Sequence, residues 1–346
     1  METGRPVDEA HNKDATNHLK LVDGVGHEPA AASDSPTATP RPPQSEGSQD
    51  STKQIQRLVY SCPVDHSGTT VYVRGWCNTD GSKHPIVLVH DLGEEISMYK
   101  KAAVDICKAG YNVYGFDLRG HGRSGRRLGH IPSFSVLIHD LLQVLAWVKH
   151  KEGGQPPLLI GQGVGALIAI SFTRKFPKFC QSVVLSAPCL ELSTKVSKPA
   201  KLLLKALSEF APTSRLPRSL APIFTDDSAK RTSRITANFA HEVFMALSTS
   251  DNKLLDIDGQ MLILCPSNDR VCRYGALKKA ALLHDKGNIT IVDVEEAGHH
   301  VFTESEATRK AATEHMFEWL QRQVTKEADN EPTEKSVEET HESPDE

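Results

Sequence analysis

No apolar run in this chain approaches the roughly 20 residues needed to span a bilayer, and its N-terminus has no apolar leader core. A soluble, cytoplasmic protein is expected. The sequence holds no C-x-x-C pair, its seven cysteines are odd in number, and no His/Cys cluster has metal-ligand spacing. These absences argue against a disulfide framework and a zinc site. Several cysteines fall within apolar strand or helix patterns, so buried free thiols are expected. No metal, cofactor or nucleic-acid partner is expected. Aspartate and glutamate are missing altogether between Gly153 and Leu190, an absence that decides between two motifs below. There is no internal repeat.

Hydrophobic residues make up only 38% of the 346, and the two ends account for the deficit. Residues 1–52 are polar, rich in Ala, Ser, Thr, Pro and His, and lack apolar periodicity. Residues 327–346 carry nine acids against Lys335. Both read as disordered tails flanking a body at 53–326. The net charge of −4 hides an asymmetry, because the body alone is about +9. A basic body favours anionic membrane surfaces; the acidic tails equally serve solubility alone.

What the body does contain is a regular alternation of strands and helices. Leu58–Cys62 and Thr69–Trp76 read as paired antiparallel strands. Pro85–His90, Tyr111–Phe116, Ser182–Ser186, Gln260–Cys265 and Ile289–Val294 read as further strands. Helices are expected over Ile96–Ala109, Phe134–Lys151, Tyr274 to about His284, and Glu306 to about Gln323. This order predicts an α/β fold, a central and mostly parallel sheet covered by helices on both faces. Ligands in such sheets bind beyond the carboxyl ends of the strands.

The most informative stretch is Pro156–Arg174, PPLLIGQGVGALIAISFTR. A short buried strand, Leu158–Ile160, enters a tight turn at Gly161-Gln162-Gly163-Val164-Gly165, and an apolar helix follows. Strand, glycine turn and buried helix form the frame of a G-x-S-x-G nucleophile elbow. The serine is missing: its position holds Gly163. The same residues fit G-x-G-x-x-A, the dinucleotide fingerprint, but that motif needs a ribose-holding acid about 20 residues on. The acid-free stretch provides none, and this βα unit is not the first of its domain.

Two loops complete the pattern. His90-Asp91-Leu92-Gly93-Glu94 follows one strand, and Asp117-Leu-Arg119-Gly-His121-Gly-Arg-Ser124-Gly125 follows another. D-x-R-G-H-G-x-S between an H-G-x-G-like loop and an elbow resembles the monoacylglycerol lipase and lysophospholipase branch of the α/β-hydrolases, over roughly Leu58 to Gln323. The resemblance implies an α/β-hydrolase fold with a helical cap inserted at about 190–252. It implies a triad in the order Ser, Asp, His, which places the acid at Asp269 and the base at His299, preferred to His300 because it directly follows the glycine. It also implies an oxyanion hole from the backbone N–H groups of Leu92 and Val164.

The chain departs from this pattern twice. Gly163 takes the positive φ of an elbow without strain but removes the nucleophile, and neither Ser171 nor Ser186 lies in an elbow sequence. Asp91 stands where the family has glycine. Either its carboxylate perturbs the oxyanion hole, at roughly 3 kcal/mol for a 6 Å separation at an effective dielectric of 20, or it points to solvent and caps the next helix. In the cap, Lys198, Lys201 and Lys205 lie near one helix face opposite Leu203, Ala206, Leu207 and Phe210. Such a helix suits a membrane interface or simple packing on its own domain. The leading expectation is a catalytically impaired lipase relative that binds an acyl lipid, another small ligand or a protein partner. The alternative is an ester hydrolase in which the Asp269–His299 dyad activates water. Cofactor-free chemistry on a His base is a third class.

Overall fold

The computed structural model describes residues 55–78, 84–125, 127–180, 182–217, 219–220, 235–248, 257–283 and 287–330. The expected N-terminal tail, most of the acidic C-terminal tail, and the cap stretches 221–234 and 249–252 lie outside them. Eight strands form one sheet: β1 (Ile55–Pro63), β2 (Thr70–Asn78), β3 (Ile86–Val89), β4 (Val113–Phe116), β5 (Leu158–Gln162), β6 (Ser182–Ser186), β7 (Gln260–Pro266) and β8 (Ile289–Val294). Their spatial order is β1-β2-β4-β3-β5-β6-β7-β8. β2 runs antiparallel to β1 and β4, and every other pair is parallel. This is the α/β fold that the alternation predicts.

The helices are α1 (Lys100–Lys108), α2 (Phe134–Lys151), α3 (Val164–Lys175), α4 (Lys198–Phe210), α5 (Ala237–Ser248), α6 (Gly275–Leu283) and α7 (Glu306–Asn330). The helix expected over Ile96–Ala109 is a 3₁₀ turn at Ile96–Tyr99 followed by α1. α7 extends to Asn330, four residues into the stretch expected to be a tail. Strand side chains alternate between two cores. Val87 and Val89 join Leu137, Leu141, Leu145 and Val148 of α2 and the apolar length of α3 on one face. Ile86 and Leu88 join Ile106 of α1 and Met316 and Trp319 of α7 on the other. β3 to β6 are buried along nearly their whole length, as a sheet covered on both sides requires.

The D-x-R-G-H-G loop after β4 is tied to α2 by a fork. Arg119 Nε and Nη2 donate to Asp140 Oδ2 and Oδ1 at 2.9 and 2.7 Å, with the Asp140 side chain fully buried. A second bond runs from Arg119 to the partly exposed Asp65 at 3.1 Å. Burial pushes the Asp140 carboxyl upward, and the guanidinium partly offsets that. Removing one partner of a buried pair strands the other. Arg119→Met is therefore expected to cost about 3–5 kcal/mol in urea unfolding, with most of the loss recovered by adding Asp140→Leu. A cost below about 1 kcal/mol would mean that the pair does not anchor the loop.

Candidate functional site

The site lies at the carboxyl ends of β3, β5, β7 and β8. The elbow conformation is present: Gly163 has φ 56° and ψ −116° between β5 and α3. Its neighbours are held to glycine by contact, since a Cβ on Gly165 would run into the Val89 and His90 carbonyls. The Gly163 N–H donates to the Ser186 carbonyl at 3.0 Å, so the turn is pinned to the end of β6.

Into this turn projects Asp91, from the loop after β3. It does not face solvent; the residue is 4% exposed. Its Oδ1 accepts from the backbone N–H of Val164 and from that of Leu92, both at 2.7 Å. Its Oδ2 accepts from His299 Nε2 at 3.0 Å. A Cβ built on residue 163 would overlap the Asp91 carboxyl carbon and both of its oxygens. The carboxylate therefore occupies the volume that a side chain at 163 would fill, and takes up both amides. The separation of 6 Å considered from the sequence is replaced by direct occupancy.

His299 stands between two acids. Its Nδ1 donates to Asp269 Oδ2 at 2.8 Å while Nε2 donates to Asp91. Both ring nitrogens face carboxylates, an arrangement that calls for an imidazolium. Burial alone would lower the His299 pKa, but the hydrogen bonds and charges of Asp269 and Asp91 hold it well above the usual histidine range. The same pairings keep both carboxyls below their usual range against the upward push of burial. Asp269 is fixed further by the N–H groups of Val271 and Cys272 and by the Tyr274 hydroxyl.

His300 is separated from this constellation. It pairs with Glu94 Oε1 at 3.0 Å, which raises its pKa to about 9 despite burial. Glu94 Oε2 accepts from the Asp91 N–H at 3.1 Å and from the Tyr99 hydroxyl. The sequence reading gave Glu94 no role, although it lies in the loop that carries Asp91. The D-x-R-G-H-G residues prove to be braces for that loop. His121 Nε2 accepts from the Gly93 N–H at 3.0 Å, His90 Nε2 from the Leu118 N–H at 2.9 Å, and Asp117 Oδ1 from the Ile96 N–H at 2.8 Å. Burial lowers the His121 pKa to about 3, so it stays neutral and able to accept.

Folding also gathers what sequence spacing did not show. Ligand atoms of Asp269, Cys272 and His299 lie within 4.8 Å of one another. This is a poor metal site, because both oxygens of Asp269 and both nitrogens of His299 already have partners. Burial and a hydrogen bond with Cys189 also hold the Cys272 thiol far up. Of the alternative serines, Ser171 donates to the Leu167 carbonyl, and Ser186 is fully buried at the end of β6. Lys198, Lys201 and Lys205 are exposed on α4, in the stretch expected to form the cap.

Residues 81–306 match the family described as Serine aminopeptidase, S33. A "Monoglyceride lipase homolog" of Monkeypox virus is 23% identical over 269 residues, covering 75% of this chain and 97% of that protein. The human "Monoglyceride lipase" is 24% identical over 251 residues, covering 69% and 82%. The crystal structure of Paleococcus ferrophilus monoacylglycerol lipase superposes with a TM-score of 0.59 at 24% identity, over 77% of this chain and 98% of that one. That likeness is one of fold.

The charges set a pH dependence. His299 gains protons on folding, so its contribution is complete below about pH 6.5 and is lost as pH rises through its folded pKa. His300 acts with the same sign up to about 9. Asp91 and Asp269 contribute above about 3.8 and lose that contribution as pH falls through their folded values. Urea stability is therefore expected to decline above pH 6.5, and Asp91→Asn to flatten the decline by removing one of the two charges on His299. Equal slopes in the two proteins would mean that His299 is not held as an imidazolium.

Proposed function

The chain belongs to the serine aminopeptidase S33 family of α/β-hydrolases, and we propose that it is a monoglyceride-lipase-like member that binds an acyl lipid without cleaving it by serine chemistry. The observation that carries this reading is the Asp91 carboxylate, placed between the Leu92 and Val164 amides and His299. One oxygen sits where a developing oxyanion would need donors, and the other where a nucleophile would need a base. Gly163 leaves room for it. The absent hydroxyl and the carboxylate in its place are thus one structural change. An acyl group entering the site meets an internal carboxylate in the position its own carboxyl product would take.

The competing reading, water activated by the Asp269–His299 dyad, needs a neutral Nε2 that accepts a proton. Here Nε2 donates to Asp91, and the raised pKa keeps it protonated. The acyl class rests on the relatives, which are named as monoglyceride lipases. Kinetics on four proteins test the reading. The wild type is expected to resist fluorophosphonate labelling and to lack esterase activity. Gly163→Ser alone is expected to stay silent and to lose stability, since the new side chain collides with Asp91 and returns the elbow strain of about 1–3 kcal/mol. Gly163→Ser with Asp91→Gly is expected to exceed either single variant in kcat/KM by about 10²-fold or more, the scale of one oxyanion donor. Wild-type activity abolished by His299→Ala would overturn the reading.

The cap offers a lipid-facing surface. α4 packs inward through Leu204 and against α5, while Leu202, Leu203 and Phe210 are 70%, 45% and 87% exposed. Leu203 and Phe210 are therefore not covered by the domain. At 100° per residue, Lys198, Lys201 and Lys205 adjoin Leu202 and stand roughly opposite Leu203 and Phe210. An exposed helix that carries both an apolar and a cationic arc suits an anionic bilayer interface. Binding to phosphatidylserine vesicles is expected to weaken with salt. Lys201→Glu with Lys205→Glu, or Phe210→Ser, is expected to weaken it several-fold. Partitioning unchanged by salt and by these substitutions would leave α4 a plain lid.

A further inference from the structure

A cavity that shares no lining residue with the Asp91 site lies where Arg127 and Leu128 meet the cap. Its volume is about 400 Å³, and it is lined by Arg127, Leu128, Thr213, Arg215 and Thr236. The walls are fixed by backbone bonds. Thr236 N–H donates to the Gly129 carbonyl and Leu216 N–H to that of Ile235, both at 2.8 Å, and Arg215 and Thr236 form an antiparallel bridge. The Thr236 hydroxyl accepts from the Phe239 N–H at the start of α5 and lies 3.3 Å from His130 Nδ1.

Two arginines thus line one cavity, with no acid among the described residues of its lining. Among the described residues neither has a hydrogen-bond or ion-pair partner. Like charges brought together without a counter-charge repel, and an anion relieves them. Arginine forks match phosphate oxygens in geometry, and threonine hydroxyls add donors. The first-turn amides of α5 already have partners, so the cations rather than the helix end supply the attraction. The cavity is roomier than a bare phosphate needs and falls within the roughly 300–1,000 Å³ of small-molecule sites. Leu128, 44% exposed, offers an apolar contact to an organic substituent.

We propose that this cavity binds a phosphate ester, with Arg127 and Arg215 clasping the phosphate and Thr213 and Thr236 at its edge. The ester can be a free metabolite or a lipid headgroup, because both present the same group. His130 reports on occupancy: burial and then the Arg127 charge lower its pKa, and an anion between the arginines raises it.

The test uses the full chain, with glycerol 3-phosphate and inorganic phosphate as soluble probes and vesicles with or without phosphatidate as the lipid arm. Saturable binding that raises the His130 pKa by NMR, weakened about tenfold or more in Arg127→Gln/Arg215→Gln, supports a soluble ester. No soluble binding, with phosphatidate-vesicle binding lost in the same double variant but kept in Lys201→Glu/Lys205→Glu, supports a lipid headgroup. Both arginines are exposed, so the double variant is expected to keep the wild-type melting temperature. Absence of binding in both arms, or binding indifferent to the two arginines, overturns the proposal.

Discussion

A buried carboxylate has to be satisfied from every side, and the carboxyl edge of this sheet is arranged around one. Asp91 has two amides on one oxygen and an imidazolium on the other. Leaving such a charge unpaired would cost several kcal/mol, so each partner is held in turn. His299 is fixed by Asp269, and Asp269 by two amides and Tyr274. The Asp91 backbone is fixed by Glu94, which His300 and Tyr99 hold. Three carboxylates and two imidazolium groups leave one negative charge in a nearly dry site.

The loop that carries Asp91 is braced by residues which, in sequence, look as if they belonged to catalysis. His90 and His121 each accept one backbone N–H, Asp117 accepts two, and none touches a reacting group. Their chemistry is that of neutral or anionic acceptors satisfying buried amides. This explains how a D-x-R-G-H-G loop persists in a chain without a serine nucleophile: its work is geometric. The Arg119–Asp140 fork serves the same end from the α2 side.

The cap follows a different logic. Helix α4 has apolar residues around more of its circumference than one packed face can use, and folding buries the Leu204 stripe while leaving Leu202, Leu203 and Phe210 outside. Periodicity alone placed Leu203 and Phe210 opposite the lysines; it could not say which part of that arc meets the domain. Packing on α5 selects it.

The chain's covalent order was enough for the fold. Buried strands read as short apolar runs between breakers, and α2, β6 and β8 fall at the boundaries the pattern indicates because hydrophobic period and turn residues act locally. The missing hydroxyl at Gly163 was equally visible, as were the Asp and His that follow β7 and β8. Local pattern failed at side-chain direction. Asp91 read equally well as a solvent-facing cap or as a charge near the amides, and only contacts spanning 73 residues to Val164 and 208 to His299 settle it. Glu94 and the Arg127–Arg215 cavity stayed hidden for the same reason: each depends on residues brought together across the sheet or at the edge of the cap, where charge, burial and volume are properties of the packed chain.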